Sequence, residues 1–312
     1  MLRRTLLALA RSERMKGLTS TMPVSSGVVA RFVAGESAAD AVRVAAELSG
    51  DGLQVSLDHL GEDTRTREQA EETVEAYGDV LRRLGNAGLT RDTEVSVKLS
   101  AIGQALSGGR GDGDRIALDN ARRVCRAARN VGTTVTLDME DHTTTDATLD
   151  VLADLRLDFP ETGAVLQSHL RRTEGDCKNL AHAGSRVRLC KGAYKEPDSV
   201  AYQDRVDVDR SYVRCLKVLM NGAGHPMVAT HDPRLIRIAG VLADRADRAS
   251  DSFEYQMLYG VRPDEQLRLS AAGSFVRVYV PYGDQWYGYL VRRLAERPAN
   301  VAFFARSLLS RG

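Results

Sequence analysis

Asp138, Glu140 and His142 alternate along one run, the spacing that sets three side chains on one face of a strand. Two chemistries suit such a face. Carboxylates with a histidine can hold a metal ion, or a carboxylate can orient a neighbouring lysine or arginine. No second His-rich run accompanies this one, so the orienting role is the reading adopted, with no metal. Lys98, in Ser96-Val-Lys-Leu-Ser100, is a single charge in a strand-like run, and Lys191 in Cys190-Lys-Gly-Ala193 is similar. A lysine so placed serves as a desolvated Schiff-base nucleophile, as a fixed cation for a carboxylate or phosphate, or as a partner for Asp138. Gly192 and Ala193 are small enough for backbone N–H groups to approach an anion closely, although glycine after a strand also marks an ordinary turn. Near the C-terminus Tyr289, Arg292, Arg293 and Glu296 fall at i, i+3, i+4 and i+7, one polar stripe of a helix whose apolar stripe is Leu290, Val291 and Leu294. Adjacent arginines beside a tyrosine suit bidentate capture of a carboxylate, with the ring closing over the ligand. The alternative is a solvated Arg–Glu face, and Tyr279-Val-Pro281 just upstream favours capture.

These residues need elements to hold them. Short β-rich runs predict strands at Leu53–Leu57, Glu94–Leu99, Thr133–Met139, Ala164–Ser168, Val187–Lys191, Met227–Thr230, Phe253–Leu258 and Phe275–Val280. Apolar residues recurring at three and four predict helices at Thr66–Leu84, Arg115–Asn130, Thr145–Asp158, Asp176–Ala183, Asp207–Met220, Pro233–Arg245, Pro263–Ala271 and Trp286–Arg297. Asp232 before Pro233 reads as an N-cap before proline at the first helical position, and Arg262-Pro263-Asp264-Glu265 repeats that theme. Strand–helix units of this number are the pattern of a (β/α)8 TIM-type barrel; a doubly wound open sheet is the alternative. Helical patterns at Leu6–Lys16 and Ala38–Leu48 make residues 1–49 an N-terminal helical extension to a barrel domain over residues 50–312. Ser107–Asp114, rich in glycine, reads as a flexible loop after the second strand.

In a barrel the chemistry collects at the C-terminal strand ends. Those ends carry Lys98, Asp138 to His142, Gln167-Ser-His169, Arg188 to Tyr194, Thr230-His231, Gln256 to Leu258 and Tyr279 to Pro281. So many reactive side chains at buried positions point to a site. There is no G-x-G-x-x-G after the first strand, which removes support for a Rossmann dinucleotide site.

Composition narrows the classes further. Across 312 residues, 43 basic groups face 42 acidic ones, for a net charge of +1. Nucleic-acid binding needs a clustered basic excess, and Arg122–Arg123 and Arg171–Arg172 sit instead among carboxylates. Four cysteines without C-x-x-C spacing argue against a zinc site or disulfide framework, making a reducing compartment the default. Positive charge precedes apolar residues at Met1–Ala10, but Arg11, Glu13 and Arg14 follow at once, so an amphipathic helix is expected there in place of a signal peptide. A cytoplasmic protein is the expectation. Core packing is the expected role of Leu2, Leu6 and Leu9; beside Arg3 and Arg4 they also suit peripheral contact at the inner face of a membrane.

Together the strings Ser96-Val-Lys-Leu-Ser100, Asp138-Met-Glu-Asp141, Arg188-Leu-Cys-Lys-Gly-Ala-Tyr194, Ala229-Thr-His231, Phe253-Glu-Tyr-Gln-Met-Leu-Tyr-Gly260, Arg277-Val-Tyr-Val-Pro281 and Tyr289-Leu-Val-Arg-Arg293 resemble proline dehydrogenase of the monofunctional bacterial type. They run in order from about residue 50 to 297. The resemblance implies FAD-dependent oxidation of L-proline to 1-pyrroline-5-carboxylate, with a quinone-type acceptor. It implies a substrate-carboxylate clamp at Lys98, Arg292 and Arg293, and ring-covering residues at Leu258, Tyr279 and Tyr289. It places an active-site aspartate at Asp138 and an arginine near the reactive flavin nitrogen at Arg188. Flavin contacts fall on Met139, Gln167, Lys191, Gly192, Ala193, Thr230 and His231. The chain departs from the family at His169, where a tyrosine is usual, at Cys190 for an aliphatic residue, and at Asp141 for a glutamate. A Schiff-base aldolase using Lys98 or Lys191, and a non-catalytic flavin- or ligand-binding regulator, are the rival readings.

Overall fold

The computed structural model describes residues 29–61, 64–106 and 111–290. Eight strands form its centre: β1 (Gln54–His59), β2 (Thr93–Val97), β3 (Val135–Leu137), β4 (Gly163–Gln167), β5 (Arg186–Cys190), β6 (His225–Ala229), β7 (Glu254–Leu258) and β8 (Val276–Tyr282). Helix α1 (Ala38–Gly50) precedes β1. Helices α2 (Arg67–Ala87), α3 (Asp112–Val131), α4 (Thr145–Asp158), α5 (Thr173–Leu180), α6 (Arg205–Asn221), α7 (Pro233–Arg245) and α8 (Pro263–Ala271) follow β1 to β7 in turn. Each strand runs parallel to its neighbours, and β8 pairs with β1 to close the barrel. That pairing decides between the barrel and the open sheet. Residues 286–290 are helical; the rest of the final helix, with Arg292 and Arg293, lies outside the described residues, as does the expected helix at Leu6–Lys16. No helix among the described residues is long and apolar enough to cross a membrane.

Local chemistry explains where helices begin. Thr66 and Gln69 cap the start of α2 reciprocally, side chain to backbone. Asp232 accepts from the Arg234 N–H ahead of Pro233, as its position predicts. Arg262 does not repeat this. A guanidinium has no acceptor to offer a helix N–H; Arg262 takes a left-handed conformation (φ 56°) and donates to the His231 carbonyl at 2.8 Å instead. The glycine-rich stretch also departs from expectation, because α3 already starts at Asp112. Gly113 is buried so tightly that a Cβ there would lie 2.1 Å from the Gln104 carbonyl oxygen.

Period-two alternation divides the strands into two faces. Val55, Leu57, Val95, Val97, Val135, Leu137, Val187, Leu189, Val276, Val278 and Val280 join the apolar core shared with the surrounding helices. The inward face is largely polar, unlike the aliphatic layers usual in such barrels. Glu94, nearly inaccessible, receives Arg186 at 2.7 Å, Arg188 at 3.3 Å and Thr136 at 3.2 Å. Arg277 spans Glu254 at 2.8 Å, the Val55 carbonyl at 2.9 Å and Gln54 at 2.8 Å. Burial works against the charged form of Glu94, yet Arg186, Arg277 and Arg188 together hold its carboxyl below the usual range.

Removing that charge leaves three arginines short of an anion. Glu94→Gln should lower the unfolding free energy by about 3–5 kcal/mol, measured by urea denaturation. A loss under about 1 kcal/mol would place the group among solvent-screened pairs and contradict this account.

Candidate active site

Toward the C-terminal mouth, side chains from β5 and β8 meet residues that directly follow β2 and β3. Arg188, in the middle of β5 and only 4% exposed, crosses the barrel interior. Its guanidinium donates to Asp138 Oδ1 at 2.7 Å, Ser96 Oγ at 2.8 Å, Ser56 Oγ at 3.2 Å and the Gln256 side chain. Asp138 follows β3 directly, and its N–H donates to the Val97 carbonyl at 2.9 Å, extending the strand pairing by one residue. Its second oxygen, Oδ2, accepts from the Tyr279 hydroxyl at 2.7 Å. The Tyr279 ring in turn faces Arg188, 5.2 Å from ring centre to guanidinium carbon. Burial, with Asp138 and Asp58 nearby, pushes the Tyr279 hydroxyl well above its ordinary pKa, so it remains a donor.

Lys98 extends from the end of β2 into this cluster. Its Nζ lies 3.7 Å from Asp138 Oδ2 but 2.9 Å from both oxygens of Asp58. Asp58, which sequence reasoning passed over, is thus the tighter partner. Burial pushes its carboxyl up to about 6, with Lys98 pulling the other way and Asp138 adding to the rise.

The remaining residues line the rim in separate groups. Glu140 and His142 diverge from Asp138: Glu140 accepts from the Ser100 N–H and hydroxyl at 3.1 and 2.7 Å, and His142 is held by Glu196. Gln167 donates to the Glu140 carbonyl at 2.6 Å, and Met139 is buried beside it in sequence. Lys191 pairs with Asp209 at 2.5 Å and Asp232 at 3.4 Å. Thr230 Oγ1 accepts from the Asp232 N–H at 3.2 Å. His231 Nε2 accepts from the Leu258 N–H at 2.8 Å, linking β6 to β7. Tyr289 is buried in a small apolar cluster with Phe32, Leu60 and Trp286. Cys190 lies 3.5 Å from the Leu166 carbonyl, and burial pushes its thiol up to about 11, which suits packing better than reactivity.

Gly192 has φ 103°, and a Cβ there would fall 1.4 Å from His169 Nδ1. The imidazole fills the space a side chain would take, while its Nδ1 donates to the Lys191 carbonyl at 2.8 Å. The chain therefore turns past His169 with its backbone bare at Gly192.

The family model of proline dehydrogenases matches residues 41–306. The chain belongs to the proline dehydrogenase family. It is 40% identical to a proline dehydrogenase of Deinococcus radiodurans over 281 residues, 89% of each chain. It is 33% identical to proline dehydrogenase 1 of Bacillus subtilis over the full length of both. Among solved structures, proline utilization A (PutA) of Bdellovibrio bacteriovorus, inactivated by N-propargylglycine, superposes with a TM-score of 0.78 at 25% identity, covering 86% of this chain and 32% of that one. The chain spans about a third of such PutA chains.

Of the site residues expected from sequence, Lys98, Asp138, Arg188 and Tyr279 meet in one cluster; Arg292 and Arg293 lie outside the described residues. Asp58 was missed because the first predicted strand stopped at Leu57, while β1 continues to His59. One further residue would have placed a carboxylate at a strand end beside the others.

Because Gly192 both needs a positive φ and abuts His169, Gly192→Ala should cost about 1–3 kcal/mol of stability, read as a fall in melting temperature. Adding His169→Ala should recover part of the loss by removing the clash but not the backbone strain. An unchanged melting temperature in the single variant would refute the tight fit.

Proposed function

We propose that this chain oxidises L-proline to 1-pyrroline-5-carboxylate with FAD as its cofactor and a quinone-type compound as the final electron acceptor. The observation that carries this reading is the buried Arg188–Asp138–Tyr279 cluster beside Lys98 at the barrel mouth in a chain of the proline dehydrogenase family. A quinone acceptor would bring the protein from the cytoplasm to the membrane surface as a peripheral partner.

The residues present suit a flavin. Gly192 exposes backbone at the strand end, with no room for a Cβ, and Arg188 supplies a buried cation where negative charge would develop. Met139, Gln167, Lys191, Gly192, Ala193, Thr230 and His231 are the residues assigned to hold it, with Lys191 exchanging Asp209 or Asp232 for an anionic group. When bound, FAD would supply the acceptor for a hydride from the ring CH2 carbon next to the proline nitrogen, the neighbour that does not carry the carboxylate. The nitrogen gives up its proton as the C=N bond forms.

The chain's own residues bind and orient. Lys98, Arg292 and Arg293 grip the substrate carboxylate, so the five-membered ring is held in one attitude. Leu258, Tyr279 and Tyr289 cover the ring and exclude water. Asp138 keeps Arg188 and the Tyr279 hydroxyl in place through both of its oxygens. The aldolase alternative fares worse, because the bidentate pair with Asp58 favours the charged ammonium of Lys98, the form that cannot attack a carbonyl.

Steady-state turnover with a dye acceptor should yield the cyclic imine from L-proline, and protein that gives none after reconstitution with FAD would end this proposal. Arg292→Ala or Arg293→Ala should raise the proline KM at least tenfold, the loss of about 1.4 kcal/mol of binding, while flavin stays bound. Loss of flavin in those variants would show that the arginine pair serves the cofactor instead.

A further inference from the structure

Two aspartates flank one ammonium at the mouth, and their hydrogen bonding separates their tasks. Asp138 has Oδ1 engaged by Arg188 and Ser96 at 2.7 and 2.9 Å and Oδ2 by Tyr279 at 2.7 Å. Its distance to Lys98 Nζ is 3.7 Å, beyond hydrogen-bond contact. Asp58 presents both oxygens to Lys98 Nζ at 2.9 Å, and its side chain is 2% exposed against 13% for Lys98. Asp58 itself sits on a ladder strand, opposite Ser96 of β2 and Pro281 of β8. A rigid carboxylate thus holds a long, flexible side chain, one that otherwise carries several rotatable bonds.

We propose that Asp58 is the positioning residue for Lys98: its ionised carboxylate fixes the ammonium where the substrate's carboxylate docks. This rests on the substrate reading above and extends it to a residue outside the clamp. Asp58 never touches substrate; it acts through Lys98.

The role carries a pH signature. Asp58 is faced by Lys98 from the end of β2, Asp138 from the end of β3, Tyr279 and Tyr282 from β8, and Tyr77 from α2, with Arg188 of β5 behind Asp138. Burial places its titration at about 6, so the anchor is present above that pH and lost as pH falls through it. Carboxylate binding should weaken on the acid side for that reason.

The test uses the flavin-loaded full chain and cyclopentanecarboxylate, a five-membered ring with the carboxylate but no amine to be oxidised or to titrate. Its dissociation constant is read from the flavin absorbance between pH 5.5 and 8, where the probe's own carboxyl, titrating near the ordinary carboxylate range of about 4 to 5, stays mostly ionised. Four proteins are compared: wild type, Asp58→Asn, Lys98→Met and the double variant, with Asp58→Ala in reserve should the asparagine variant lose its flavin or its native melting temperature. Asp58→Asn should weaken binding about tenfold at pH 7.5 and flatten the acid limb, yet weaken it less than about twofold in the Lys98→Met background, because an effect routed through Lys98 vanishes with it. Equal losses in both backgrounds, or a wild-type acid limb retained by Asp58→Asn, would overturn the positioning role while leaving the substrate reading intact. If wild type holds no cyclopentanecarboxylate and Lys98→Met changes nothing, the substrate reading and this role fall together.

Discussion

A guanidinium sealed inside a closed barrel must find all its partners within the barrel, and Arg188 does. Its bonds reach side chains from β1, β2 and β7 and the residue that follows β3. Leaving any of these groups unpaired would cost several kcal/mol in so dry a setting. The polar interior follows from that demand: serines, threonines, Gln256 and Glu94 stand where aliphatic layers would otherwise fill the space. The arginine is thereby fixed to within a hydrogen bond, which is what a group stabilising charge on a bound partner requires.

Beneath Arg188 a second charged layer, Glu94 with Arg186 and Arg277, and Arg277 with Glu254, supports the first. Above it, Asp138 and Asp58 divide two cations between them. Asp138 binds the arginine and the tyrosine; Asp58 binds the lysine. The near-neutral total charge of the chain conceals this arrangement of alternating signs along the barrel axis. Cations at the mouth keep their geometry because each has its own buried counter-ion.

The sequence made the barrel readable through the alternation of β-rich runs with amphipathic helices, and α4, α7 and α8 have the expected bounds. Strand ends were less legible. β1 continues two residues past Leu57, because the closed sheet pairs Asp58 and His59 with Pro281 and Tyr282, partners that the local run does not show. Glu94, Arg186 and Arg277 carry no local sign of their partners; only closure of the barrel turns them inward and sets them against one another. Likewise, nothing local distinguishes Asp58 from Asp138 as the partner of Lys98. That choice depends on distances across β1, β2 and β3, which chain spacing does not encode.

The central claim is that this charge-lined mouth holds proline against a bound flavin for oxidation. Anaerobic mixing of the FAD-loaded protein with L-proline, followed at the flavin absorption band, tests it most directly. The account predicts bleaching that saturates with proline concentration and reverses on adding a quinone; a flavin that stays oxidised at saturating L-proline would contradict it.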